Sequence, residues 1–204
     1  MRLYYKPGAC SLAPHIVLRE LGEEFAMERV DTETRRTESG DDYLTVNPNG
    51  YVPALRLADG EVVTENSALL PYLADRHPEA GLAPPAGTMA RVRLQEMLGF
   101  LNSELHKAYG PFFSGRALSA EERETAGAKI AARIRRLEDK LADGRDFLLG
   151  ANFSVADAYA FVILNWSGFI DFDLSPFPRT ARLVERVRVR PAVQAAMRGE
   201  GLIK

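Results

Sequence analysis

Cysteine is nearly absent. One residue, Cys10, stands among 204, so no intramolecular disulfide can form, and a reducing, cytoplasmic setting is the expected one. No apolar run reaches eighteen residues and no basic segment followed by an apolar one opens the chain, which argues against a membrane span and a secretory signal. Repeats, low-complexity tracts and cysteine/histidine spacings of the metal-binding kind are missing too, so no metal is expected. Neither sign of charge dominates: charged residues make up 26% of the chain and the formal net charge is −2. That balance leaves no electrostatic case for nucleic acid or an anionic membrane as partner.

What is present begins with the segment that carries the cysteine. Leu3, Tyr4 and Tyr5 suit a short strand, Lys6-Pro7-Gly8-Ala9 is turn chemistry, and Leu12, Ala13, Ile16, Val17 and Leu21 suit a helix closed at Gly22. Pro14 is tolerated only in the first turn of that helix, which sets Cys10 or Ser11 at or near its N-cap. Amide donors and the positive end of the helix dipole stabilise a thiolate there. Ionisation alone gives little, since a thiol of pKa about 8.5 is already roughly 3% ionised at pH 7 and a two-unit shift gains at most about thirty-fold. Holding two reactants in register must supply most of any acceleration. The plainer alternative is that Cys10 is a small buried apolar residue.

Downstream, Phe25 to Asp31 alternates apolar and polar residues as a half-buried strand does, so strand, helix and strand form a parallel, right-handed unit. Residues 32–42 are polar and loop-like, and a short helical piece follows around Tyr43-Leu44. Asn47-Pro48-Asn49-Gly50 leads to Val52-Pro53, where proline belongs at the first residue of a strand or in a special turn, in cis or trans. Ala54–Leu57 and Glu61–Thr64 read as a hairpin around Asp59-Gly60. Glu65-Asn66-Ser67 then precedes a helical run to His77, with Pro71 near its first turn. Glu65 and Asn66 fit two readings, an ordinary acidic N-cap or a pair that holds a ligand's ammonium and carboxylate.

Residues 79–87 are a Pro/Gly/Ala linker, dividing a domain at 1–78 from one at 88–204. The second part reads as helices throughout. Thr88 caps a long helix that ends or kinks at Gly110-Pro111, Ser119 with Glu122 forms a capping box, and Ser154 with Asp157 forms another. The helix after Ser154 is apolar all round and should be the buried centre of the bundle, with two more helices near 178–189 and 191–198. Asn102 and His106, like Ser103 and Lys107, stand four apart on the long helix. A histidine there is either a core-edge residue or, beside a thiol site, a partner for sulfur.

Taken together, Tyr5-x-x-Gly8-x-Cys10-Ser11, Val52-Pro53-Ala54-Leu55, Thr64-Glu65-Asn66, Leu105-His106-Lys107 and Phe153-Ser154-Val155-Ala156-Asp157 resemble a bacterial Beta-class glutathione S-transferase. The resemblance extends to Arg190-Pro191-Ala192-Val193 and Glu200-Gly201-Leu202-Ile203-Lys204. It implies an N-terminal thioredoxin-like βαβαββα domain, an all-helical C-terminal domain and a homodimer. It also implies glutathione as co-substrate, with Cys10, His106 and Lys107 at its sulfur. By the same resemblance Val52, before a cis Pro53, pairs with the cysteinyl part of the tripeptide, Glu65 and Asn66 hold the γ-glutamyl end, and Arg35 meets the glycyl carboxylate. Tyr5 and Ser11 complete that set, and Ser103 reaches the partner subunit's ligand. Asn66 departs from the small residue usual at its position, and Gly99 stands where asparagine is frequent.

The activity so implied is addition of glutathione to apolar electrophilic small molecules, with reduction of mixed disulfides beside it. Tyr109, Phe112, Phe113 and Trp166 are the expected apolar wall for the electrophile. Two rivals remain at this point: a glutaredoxin-type thiol-disulfide oxidoreductase working through Cys10, and a non-catalytic carrier of apolar ligands.

Overall fold

The computed structural model describes residues 1–204. Its first elements are β1 (Arg2–Tyr5), α1 (Leu12–Glu20), β2 (Ala26–Asp31), β3 (Arg36–Thr37), β4 (Ala54–Arg56), β5 (Val62–Thr64) and α2 (Asn66–Asp75). Helices make up the remainder: α3 (Met89–Phe100), a wide π turn at Leu101–Leu105, α4 (His106–Tyr109), α5 (Ala120–Lys140), α6 (Val155–Asn165), α7 (Pro178–Arg188) and α8 (Pro191–Gly199). The chain forms two compact units, Met1–Ala83 together with Val189–Lys204, and Pro84–Arg188.

The first unit is a five-stranded sheet in the order β3-β2-β1-β4-β5. β1 and β2 are parallel, as a strand-helix-strand crossover requires, whereas β4 and β5 join antiparallel through the Asp59-Gly60 turn. The expected thioredoxin-like order holds, with its second helix reduced to a single 3₁₀ turn at Tyr43–Thr45 capped by Asp42. β3, only two residues long, lies within the stretch read as loop and adds to the sheet edge by pairing with Val30 and Asp31.

α1 starts where Pro14 allows and ends at Gly22, which supplies a φ of +66°. It buries Leu12, Ala13, Ile16, Val17 and Leu18 completely, and each such aliphatic side chain larger than alanine contributes about 1.5–3 kcal/mol. α2 starts earlier than expected, at Asn66, so Pro71 is its sixth residue rather than part of its first turn. The donor Pro71 lacks would have gone to the carbonyl of Ser67, an exposed residue whose carbonyl water can serve.

The expected boundary at 88–204 differs from the compact units because α8 packs against α1 through Val193, Ala196 and Met197. Just beyond α8, Glu200 accepts from the Gly8 N–H at 2.9 Å and from His15 Nδ1 at 2.9 Å, with the His15 and Glu200 side chains fully buried. Arg190 adds two bonds to Glu20, at 2.6 and 2.9 Å. The end of the chain therefore fastens the loop that leads to Cys10.

In the second unit both capping boxes are formed, Ser119 with Glu122 and Ser154 with Asp157, and the Thr88 hydroxyl accepts from the Arg91 N–H. α6 is buried on every side from Val155 to Leu164, the central helix its composition predicted. No helix is long and apolar enough to cross a membrane.

Candidate active site

Cys10 lies in the turn between β1 and α1, half-buried, one residue before the N-cap Ser11. Its Sγ donates to the Val52 carbonyl at 3.2 Å, and Val52 precedes a cis Pro53. Its own carbonyl accepts from the Ala13 N–H at 3.2 Å and from Asn66 Nδ2 at 2.9 Å. Cys10 is thus held by three separated segments of the first unit, its thiol by the turn before β4 and its carbonyl by the first turn of α1 and the start of α2.

Ser11 turns inward. Its side chain is wholly buried, its hydroxyl accepting from the Lys6 N–H at 3.1 Å and donating to the Lys6 carbonyl at 3.2 Å, so the group is committed to the loop itself. Asn66 is also buried, and while its amide nitrogen serves Cys10, its Oδ1 has no hydrogen-bond partner. An orphan acceptor costs about 1–3 kcal/mol, and no sequence rule gave a signal of it. Glu65, the exposed N-cap of α2, takes a φ of +63°, a conformation costly for a residue with a Cβ. Its carbonyl accepts from Ala68 and Leu69.

Tyr5 ends β1 half-buried, its phenol pKa raised first by burial and then by Glu200 and Glu38. Arg35, exposed, adopts a φ of +58° in the turn between β2 and β3, where its carbonyl accepts from the Tyr43 N–H.

The other expected residues belong to the second unit and are described there. Ser103 is exposed and donates to the Gly99 carbonyl at 2.8 Å across the π turn. Lys107 is exposed, while His106 is half-buried and stacks edge-on against Trp166 with centroids 4.7 Å apart. Burial lowers the His106 pKa to about 4, with Lys107 the lesser cause, so the ring is neutral at pH 7. Its Nδ1 lies 2.9 Å from the Tyr159 hydroxyl, which donates to Asn102 Oδ1 at 3.1 Å.

Tyr159 escaped sequence reasoning because α6 reads as apolar throughout. The available signal was that a buried tyrosine needs a partner for its hydroxyl. The aromatic wall also differs from expectation at Tyr109, which is fully buried in the bundle with its hydroxyl on Ser167 Oγ at 2.7 Å. Burial pushes its pKa up to about 12. Phe113, 52% exposed, instead stands edge-on to Trp166 at 5.6 Å. No group of three or more His, Cys, Asp or Glu side chains is arranged to hold a metal ion.

Comparison with known proteins identifies the family. A family model for the glutathione S-transferase N-terminal domain matches residues 8–76, and one for the C-terminal domain matches residues 100–191. Glutathione S-transferase GstA of Escherichia coli O157:H7 is 41% identical over 203 residues, covering 99% of this chain and 100% of that protein. Among solved structures, the Beta-class glutathione S-transferase of Sphingomonas chungbukensis is 47% identical with a TM-score of 0.94 and full coverage of both chains (100% each). A sphingomonad glutathione S-transferase complexed with glutathione is 47% identical with a TM-score of 0.93, again covering 100% of each chain. The chain therefore belongs to the glutathione S-transferase family, in its bacterial Beta class.

Proposed function

We propose that this protein activates the thiol of glutathione and adds it to apolar electrophilic small molecules in the cytoplasm, and that it reduces glutathione mixed disulfides as a second reaction. The observation that carries the reading is the half-buried Cys10 thiol 3.2 Å from the Val52 carbonyl beside cis Pro53. An extended cysteinyl segment suits that position, since the Val52 backbone would take it as a short added strand and release the thiol toward the incoming sulfur.

The remaining roles follow from chemistry. Glu65 would take the ammonium of the γ-glutamyl end and the N–H groups at the start of α2 its carboxylate, while Arg35 would pair with the glycyl carboxylate. Asn66, buried, would support the same end by tying the start of α2 to the Cys10 carbonyl. Tyr5 would border the sulfur end, and Ser11 would act by holding the loop. His106, neutral, would handle the thiol proton, and Lys107 would stabilise the thiolate.

Glu65→Ala is expected to weaken glutathione binding at least tenfold in calorimetry, since a charge-assisted bond is worth about 1.5–3 kcal/mol. Unchanged affinity would overturn the assignment. A homodimer is expected as well, with Ser103 contributing toward the partner subunit's ligand. Sedimentation at micromolar concentration should give twice the 22.6 kDa chain mass, and a monomer there would rule the dimer out.

A further inference from the structure

We propose that Tyr159, itself oriented by Asn102, fixes His106 as the Nδ1–H tautomer, so that Nε2 is the nitrogen that accepts the thiol proton. This rests on the reading above in which His106 handles that proton.

A phenol has one hydrogen to give, and an amide oxygen can only accept. With the Tyr159 hydroxyl donating to Asn102 Oδ1 at 3.1 Å, the phenol oxygen meets His106 Nδ1 at 2.9 Å as an acceptor. Nδ1 must then carry a hydrogen, and in a neutral ring Nε2 keeps its lone pair. The ring has little freedom to turn, because it is stacked edge-on against Trp166 at 4.7 Å and against Tyr159 at 6.3 Å. Asn102 lies within the π turn of Leu101–Leu105 and His106 directly follows it, an irregularity frequent at functional sites.

A histidine so arranged accepts from a thiol and cannot, while neutral, donate to a thiolate through Nε2. In the conjugation step the S–H bond of glutathione breaks, its proton goes to Nε2, and the sulfur electron pair forms the carbon–sulfur bond. The leaving group departs with its own bonding pair, and the imidazolium returns its proton to solvent. Tyr159 is thus a positioning residue, acting through His106.

The test is long-range ¹⁵N NMR of the imidazoles, of which the chain has three, His15, His77 and His106. Wild type should show His106 with a protonated Nδ1 and an unprotonated Nε2. Tyr159→Phe should move the ring to the Nε2–H form or a mixture, and lower kcat for conjugation by about tenfold to a hundredfold. Its KM for glutathione should stay within about twofold, a separation expected when only the reacting proton is affected. Asn102→Ala should loosen the tautomer in the same way with Tyr159 in place, whereas Asn102→Asp, which can only accept, should keep the wild-type pattern. These variants also decide the matter if Tyr159→Phe fails to fold. An Nε2–H ring in wild type, or a tautomer indifferent to Asn102 and Tyr159, overturns the proposal at its structural step. A tautomer that changes while kcat does not overturns it through His106, which would then have no part in moving the proton.

Discussion

Asp157→Ala is expected to lower the free energy of unfolding by about 3–5 kcal/mol, through the buried donors it leaves without an acceptor. The carboxylate is fully buried and accepts three bonds, from the Leu148 N–H at 2.7 Å, the Ser154 N–H at 2.9 Å and the Ser154 hydroxyl at 2.7 Å. Burial raises its pKa to about 6 and the three donors oppose that rise, so it is ionised at pH 7. Alanine leaves three donors without an acceptor inside the bundle, each worth about 1–3 kcal/mol. Recovering the desolvation cost of the carboxylate keeps the total below their sum.

Against a typical stability of about 5–15 kcal/mol this is a large fraction, and expression at 37 °C should suffer accordingly. Asp157→Asn keeps one acceptor and should lose less than alanine. Urea titration of the purified variants is the measurement. A loss under about 1 kcal/mol for alanine would mean that the Leu148 loop and the start of α6 do not depend on this group.

The same residue shows which parts of the fold were legible. Ser154 and Asp157 stand three apart before an apolar run, a spacing with a direct geometric meaning, and the box formed as read. The Thr88 cap, the Asp59-Gly60 hairpin and Gly22 were legible for the same reason, each being a local rule about a donor or a dihedral. Rules of that kind fail where a distant partner decides. Nothing local marks Glu65 as a residue with φ of +63°, so the sequence pattern places the start of α2 after Ser67, whereas the helix begins at Asn66 and carries Pro71 beyond its first turn. α8 carries an ordinary amphipathic pattern that does not name its partner, and its packing on α1 moves the end of the chain into the first unit.

For the candidate site, the residues were named by resemblance and their internal bonding was not legible. Ser11 looks like a ligand contact until its hydroxyl is found closed on Lys6. His106 was identified four residues from Asn102, yet the group that joins them, Tyr159, comes from α6, 53 positions beyond His106.

Cys10→Ala is expected to abolish glutathione-dependent disulfide reduction while conjugation falls by no more than about a hundredfold, the low end of what a positioned proton-handling group contributes. The two reactions use different sulfurs. In reduction, the Cys10 thiolate attacks the glutathionyl sulfur of a mixed disulfide, the S–S bond breaks, and the other thiol leaves with the bonding pair. A second glutathione thiolate then attacks the resulting Cys10–glutathione disulfide and frees oxidised glutathione and Cys10. Without Sγ neither step has an atom to form its bond, so the loss should be complete. In conjugation the nucleophile is the sulfur of glutathione, and Cys10 contributes only surroundings. Those surroundings survive the substitution in large part, because the Cys10 backbone is held through its carbonyl by Asn66 and Ala13. The substitution removes the weak bond from Sγ to the Val52 carbonyl, which leaves that carbonyl open to the peptide ligand. Both activities should be measured on one preparation, with glutathione affinity by calorimetry alongside. Retained reductase activity would show that another group carries the disulfide chemistry. A folded variant that binds glutathione normally and shows no conjugation would make Cys10 indispensable to the transfer step itself, against the division of labour argued from these two sulfurs.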